Sequence, residues 1–160
     1  MRIPLTRQRR RIDEIAAPAI DRSIIWSTVG ALHGITIVEP FADPSDRYTC
    51  YWYVFKDEDW YQALESTKRS REIEGLLLTA GISFLTGHGY VRLSEPEDHA
   101  VVAYQSSAYP ASVRHYGRLL ADGRVRSKFG TGYVFEHALD RVPNCYGDRA
   151  VFFQKRENNV

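Results

Sequence analysis

The sequence is poor in cysteine and carries little net charge. Its 160 residues include 2 cysteines, Cys50 and Cys145, too few for a disulfide framework or a four-thiolate zinc site. A single bridge between them is compatible with an oxidising compartment. The formal net charge is +1, so no overall basic field directs the chain to nucleic acid or to an acidic membrane surface.

Long apolar runs are also missing. No stretch approaches the length needed to cross a bilayer, and the first residues, "MRIPLTRQRRRIDEI", lack the apolar centre of a secretory signal. We therefore expect no membrane partner and a cytoplasmic location by default, with signal-independent export as the alternative.

Motifs for cofactors and metals are absent as well. The chain has no glycine-rich phosphate loop in a strand–helix context. His33, His88 and His99 do not have the spacing of metal ligands. We expect neither a cofactor nor a metal ion.

The length predicts one domain with extensions at both ends. Residues 1–22 form a polar arm whose basic run "RQRRR" (7–11) is interpreted as solvated, with a phosphate contact as the alternative. Residues 23–156 form the single domain and 157–160 a tail. Nucleic acid is therefore not an expected partner.

The first half of the domain carries helix signals. Thr49 is a competent N-cap that places Cys50 in a first helical turn, although the aromatic run after it would also suit a buried strand. In "SREIEGLLLTAG" (70–81), Ile73, Leu76, Leu77 and Ala80 follow the spacing of an amphipathic helix, and Gly81 stands where a helix ends.

The second half carries strand signals. "HAVVAYQ" (99–105) is β-branched and aromatic, and Asp122-Gly123 is a strong hairpin signal between two strand-like runs. "GYVFEHAL" and "RAVFFQKR" read as further strands. Early helices and a late antiparallel sheet predict an α+β protein.

Cys50 and His115 have the residue types of a nucleophile and its base. A helix N-terminus stabilises a thiolate, and a histidine within hydrogen-bond reach accepts its proton. Ser127 or His137 is the candidate for the third group, which orients the imidazole.

The run "HYGRLLADGRVRSK" resembles the histidine hairpin of NlpC-type papain-like cysteine peptidases, in which the catalytic histidine opens a strand. His115, Gly117, Asp122 and Gly123 match that layout, and the family's orienting position maps to Ser127. "YTC", "RSKFG", "EH" and "YG" further resemble marks of an uncharacterised bacterial family of papain-like proteins. Together these motifs cover residues from about 36 to 156.

This resemblance implies a papain-like domain, with N-terminal helices packed on an antiparallel sheet. It implies a cysteine hydrolase or acyltransferase acting on an amide or related acyl bond, as a peptidase or amidase does. Its substrate would be a peptide or another amide, with cell-wall peptide among the candidates. Cys50 would attack, His115 would act as base and then acid, and the helix start would hold the oxyanion. Thr49, Tyr51, Trp52 and Lys128 are the predicted oxyanion or substrate-binding residues.

The alternative is a catalytically inactive papain-like scaffold that binds a protein partner. Its anchors would be aromatic side chains predicted to be exposed, namely Tyr48, Tyr51, Trp52, Tyr53, Trp60 and Tyr61. If Lys128 has only a structural role, we expect it to pair with Glu136 across the hairpin strands.

Overall fold

A computed structural model describes residues 3–4, 34–39, 49–68, 70–129 and 134–156. Within these residues the helices precede most of the strands. They are α1 (Cys50–Phe55), α2 (Asp59–Thr67), α3 (Ser70–Thr79) and α4 (Gly81–Gly87), with a 3-10 turn at Asn144–Tyr146. None of these helices is long and apolar enough to span a membrane.

The described strands form one antiparallel sheet. They are β1 (Ile3–Pro4), β2 (Thr36–Glu39), β3 (Tyr90–Arg92), β4 (Val101–Gln105), β5 (His115–Leu119), β6 (Val125–Lys128), β7 (Val134–His137) and β8 (Arg149–Lys155). Their order is β1-β8-β4-β5-β6-β7-β2, and β3 also pairs with β8. The predicted α+β class, with helices and an antiparallel sheet, is confirmed.

The hairpin between β5 and β6 turns where the Asp-Gly signal predicted it. The Leu120 N–H bonds to the Arg124 carbonyl at 2.8 Å, and the Gly123 N–H bonds to the Leu120 carbonyl at 2.8 Å. The Asp122 carboxylate accepts the Arg124 N–H at 2.9 Å. This turn sets the register Arg118↔Arg126, which decides which hairpin residues share a face.

Both faces of the sheet are packed against other residues. Every residue of β4 is buried, and successive strand residues point to opposite faces. On the helix side, Val101 and Ala103 join one apolar cluster with residues of α1 to α4. On the far side, Val102 and Tyr104 join a second cluster. We use "helix side" and "far side" for these two faces below.

Helix α3 ends at Thr79, close to the predicted end, but Gly81 does not cap it, because Gly81 begins α4 after Ala80. A Cβ on Gly81 would clash with the hydroxyl of Tyr116 and lie 2.8 Å from Cγ2 of Val113. The glycine is therefore explained by the close approach of α4 to β5. Of the predicted apolar face of α3, Ile73 and Leu77 are buried, whereas Leu76 and Ala80 are exposed.

Part of the predicted N-terminal arm belongs to the sheet. Ile3 and Pro4 pair with Ala150 and Arg149 of β8. The basic run 7–11, residues 12–33 and 40–48, and the 157–160 tail lie outside the described residues.

Candidate functional site

Cys50 is the first residue of α1, as its position after Thr49 predicted. Thr49 has extended backbone angles (φ −101, ψ −177), and its carbonyl accepts the N–H of Tyr53 at 3.1 Å. Its side chain makes no capping hydrogen bond. The alternative of a buried strand over this aromatic run was therefore wrong.

The thiol of Cys50 points into the core on the helix side. Cys50 is 7% exposed and packs in the same cluster as Tyr51, Val113 and Tyr116. Burial raises the pKa of the thiol to about 12, although hydrogen bonds from the main chain of Tyr116 and Tyr51 oppose the rise. Glu74 adds to it through its negative charge. At neutral pH the group is a neutral thiol.

Helix α1 is held on β5 by contacts at its C-terminal half. The Arg118 guanidinium donates to the carbonyl of Val54 at 2.8 Å. The fully buried ring of Phe55 packs edge-on against Tyr116, with 5.2 Å between ring centroids. These contacts fix the side of the sheet on which Cys50 lies.

His115 begins β5, and its ring lies on the far side. It stacks on Tyr146 with 4.0 Å between centroids and 6° between planes. Phe129 approaches edge-on at 5.6 Å, and Tyr104 lies 5.6 Å away. The histidine is 1% exposed, so it sits within a buried aromatic cluster.

Cys50 and His115 therefore face opposite sides of the sheet. Successive strand residues point to opposite faces, so Tyr116 faces the helix side and His115 the far side. The main chain of Tyr116, the residue after His115, is near enough to Cys50 to oppose the rise in the pKa of its thiol.

The two candidate orienting residues bind each other. The Ser127 hydroxyl lies 2.8 Å from Nε2 of His137, and Nδ1 of His137 lies 2.8 Å from the carbonyl of Ala138. This pattern assigns the proton to Nδ1 and makes Ser127 the donor. Ser127 and His137 are both fully buried. Their ring neighbour Phe129, 5.3 Å from His137, also contacts His115.

Two residues of this cluster, Phe129 and Tyr146, were not predicted as site residues. Both lie inside motifs noted in the sequence, "RSKFG" and "YG". Gly147 has φ 106, and a Cβ there would lie 2.9 Å from the Ser106 nitrogen and clash with the Gln105 carbonyl. The motif signal was present, but nothing in it specified a ring stacked on His115.

The predicted oxyanion and substrate-binding residues do not form an exposed rim. Tyr51 is buried, and burial raises the pKa of its hydroxyl to about 12. Trp52 is half-buried, with the Lys56 ammonium 5.0 Å from its ring centroid. Lys128 is 7% exposed in β6.

The expected pair of Lys128 with Glu136 is not directly opposed in the strand register. Lys128 lies opposite Val134, whereas Arg126 lies opposite Glu136. Glu136 forms ion pairs with Arg126 and, at 3.5 Å, with Arg124. The register set by the hairpin turn therefore selects the arginines.

The predicted surface of aromatic anchors is not exposed. Tyr51 and Tyr61 are buried, while Trp52, Tyr53 and Trp60 are half-buried. Tyr48 lies outside the described residues. These rings pack on the helix side, where they form part of the core or lie against it.

Two further features concern the side chains that could bind a metal ion and the two cysteines. Among the described residues, no three His, Cys, Asp or Glu side chains gather in a metal-binding arrangement. Cys50 is buried and Cys145 is exposed, and the two form no disulfide.

Comparison with known proteins gives a family but no activity. No curated protein and no solved structure matches the chain. A family model described as a domain of unknown function, DUF7689, matches residues 41–154. This range covers most of the chain and includes Cys50, His115, Ser127, His137 and Tyr146. The chain belongs to this family, the DUF7689 domain of unknown function.

Proposed function

We propose that this chain is a protein-binding module built on a papain-like, NlpC-type scaffold that does not use its cysteine as a nucleophile. The observation that carries the proposal is the separation of Cys50 and His115 by the sheet. A cysteine nucleophile needs its base within hydrogen-bond reach. Here the imidazole of His115 is stacked on Tyr146 on the far side.

The ionisation of Cys50 supports the same proposal. The thiolate is the reactive form, and reactive cysteines have lowered pKa values and partial exposure. The pKa of Cys50 is raised to about 12 by burial. At pH 7 the thiol is therefore almost entirely in its neutral form.

The motif residues support a scaffold role. Phe129 lies between His115 and His137, and Tyr146 stacks on the first of these histidines. The Ser127 hydroxyl hydrogen-bonds to Nε2 of His137, the second of these histidines. A buried polar group whose hydrogen bonds are satisfied specifies one packing arrangement, so these residues have a structural use without catalysis.

A cysteine hydrolase or acyltransferase acting on peptides or other amides is the second candidate. It is favoured by the presence of Cys50 and Tyr116, the residue after His115, in one apolar cluster. In addition, the register of β5 with β6 covers only Arg118 and Leu119, whereas its register with β4 begins at His115. A backbone change there would be needed to bring His115 to the thiol.

Alkylation of the two cysteines by iodoacetamide separates the candidates. The native protein is labelled between about pH 6 and about pH 10, and each site is quantified by mass spectrometry. We expect Cys145, which is exposed, to be labelled, and Cys50 to be labelled after unfolding in urea. Cys145 is thus the internal reference for reagent and pH.

The variants His115→Ala and His115→Phe complete the test. Both remove the base, but phenylalanine keeps a ring against Tyr146, so it controls for loss of packing. Fast labelling of native Cys50 below about pH 8, slowed equally in both variants, would overturn the binding proposal in favour of the enzyme. Unchanged, slow labelling of Cys50 in all three proteins supports the proposal.

A further inference from the structure

Strand β3 lies at an edge of the sheet. It pairs with β8 through Tyr90↔Lys155, Val91↔Gln154 and Arg92↔Phe153. No described strand pairs with its other side. Because an edge strand presents main-chain donors and acceptors outward, it is a template for another strand.

The hydrogen bonds of β3 show which residues face outward. Leu93 donates its N–H to the carbonyl of Phe152 at 2.9 Å, and Arg156 donates to the carbonyl of Gly89 at 3.0 Å. In an antiparallel pair, alternate residues bond to the partner strand. The main-chain groups of Val91 therefore face β8, and those of Tyr90 and Arg92 face outward.

An open groove of about 350 Å³ lies along this edge. Its walls are the end of α4, the turn into β3, the strand itself and the residue after β8, namely Thr86, Gly89, Tyr90, Val91, Arg92 and Arg156. The volume is within the range of binding pockets, and four of its six lining residues are consecutive in the chain, from Gly89 to Arg92.

Two arginines give the groove a positive charge. Arg92 and Arg156 make no ion pair with any residue that the structure describes, whereas the neighbouring Lys155 is paired with Glu58. Arg92 shares the helix side with Tyr90. Alternation continued from β8 puts Arg156 on the far side, in register with Gly89.

We infer that the β3 edge binds an extended peptide as an added strand, and that the peptide carries two acidic residues three positions apart. The inference rests on the proposed binding function and names its partner. Arg156 bonds to Gly89, the turn residue just before β3, and Arg92 lies three residues further along the chain. In an extended peptide, residues three positions apart are separated by about 10 Å. Two peptide residues at that spacing point to opposite faces, as the two guanidinium groups do.

The outward main-chain groups favour a peptide over a small anion. A free phosphate would engage the guanidinium groups alone, whereas an added strand also satisfies the donors and acceptors of Tyr90 and Arg92. A second copy of this chain paired edge to edge would bring positively charged edges together, which opposes association.

Fluorescence anisotropy with a labelled peptide, Thr-Val-Glu-Val-Thr-Asp-Val-Thr, tests the inference. The matched peptide carries Gln and Asn in place of Glu and Asp. We expect Arg92→Glu and Arg156→Glu each to weaken binding of the acidic peptide about tenfold or more, since each removes a charge-assisted contact. Arg114→Glu, the same change on an exposed arginine outside the groove, is the control and should leave binding unchanged.

A second pair of variants tests the main-chain contacts. Arg92→Gln and Arg92→Pro both remove the guanidinium, but only proline also removes the outward N–H. Proline is tolerated on an edge strand whose N–H faces solvent, and circular dichroism checks that both variants are folded. We expect Arg92→Pro to bind several-fold more weakly than Arg92→Gln.

The competing occupants give different results. Inorganic phosphate displacing the peptide at equal affinity, or equal binding of the matched neutral peptide, would overturn the inference. So would concentration-dependent dimers that are lost in Arg92→Pro while no peptide binds, or the absence of any binding. Each of these results leaves the labelling of Cys50 unchanged, so failure of the groove is distinguishable from failure of the proposed function.

Discussion

The imidazole of His115 stacks face to face on the ring of Tyr146, with their planes 6° apart. This relationship joins the start of β5 to the 3-10 turn at Asn144–Tyr146, just before β8. It also holds the histidine on the far side of the sheet, away from the thiol of Cys50. The stack therefore bears on both the stability and the function of the protein.

Replacing Tyr146 tests the contribution of that stack. We expect Tyr146→Leu to lower the free energy of unfolding by about 1–2 kcal/mol, because an aromatic pair contributes beyond its buried area. Tyr146→Phe keeps the ring, so it should lower the free energy of unfolding clearly less than Tyr146→Leu does. Urea denaturation at pH 7 measures both, and equal losses in the two variants would contradict a role for the stacked ring.

Removing the Ser127 hydroxyl tests the buried pair with His137. We expect Ser127→Ala to lower the free energy of unfolding by about 1–3 kcal/mol, since Nε2 of a buried histidine loses its donor. Ser83→Ala, on the exposed side of α4, is the matched control and should change the free energy of unfolding by less than about 0.5 kcal/mol. Thermal or urea unfolding gives both values, and a neutral Ser127→Ala would sink the assignment.

Two glycine-to-alanine changes test the close approach of α4 to β5. Gly81→Ala would drive a methyl group into Tyr116 and Val113, and we expect a loss of about 1–3 kcal/mol from overpacking. Gly75→Ala, within α3, meets nothing within 4 Å and should stabilise the protein by about 0.5–1 kcal/mol. Opposite signs in urea unfolding are the expected result, and a stabilising Gly81→Ala would refute the packing argument.

The stability contributed by Glu58 should depend on pH. Burial alone would raise the pKa of its carboxyl, but hydrogen bonds from Lys155 and Tyr90 outweigh burial and lower it. A folded-state pKa below the unfolded value means that the stabilisation is present above the unfolded pKa and is lost as pH falls through the folded one.

The variant Glu58→Gln measures this dependence. Relative to wild type, we expect it to cost about 1 kcal/mol of unfolding free energy at pH 7, a modest value because Lys155 is half exposed. The difference should begin to shrink as pH falls below the unfolded value of about 4.3, and it should vanish below the folded-state pKa. Glu95→Gln, on an exposed loop, serves as the control. A Glu58→Gln cost that stays constant down to about pH 3 would rule out the charged pair as its cause.

Local signals in the sequence determined much of the secondary structure. Thr49 before Cys50, the apolar spacing of Ile73 and Leu77, and the Asp122-Gly123 turn each act within a few residues. Helix starts, amphipathic faces and tight turns depend on such short-range geometry. Gly81 was misread because its reason lies in Tyr116, which is distant in sequence.

The tertiary structure decided which side of the sheet each candidate residue faces. From the sequence by itself, Cys50 could be placed at a helix start and His115 at a strand start. Ser127 and His137 could be named as candidates by their residue types. In a strand, a shift of one residue moves every side chain to the other face. Pairing with β4 and the stack on Tyr146 put His115 on the far side. The docking of α1 on Tyr116 put Cys50 on the helix side, and no local pattern encodes that choice because it depends on contacts between distant segments.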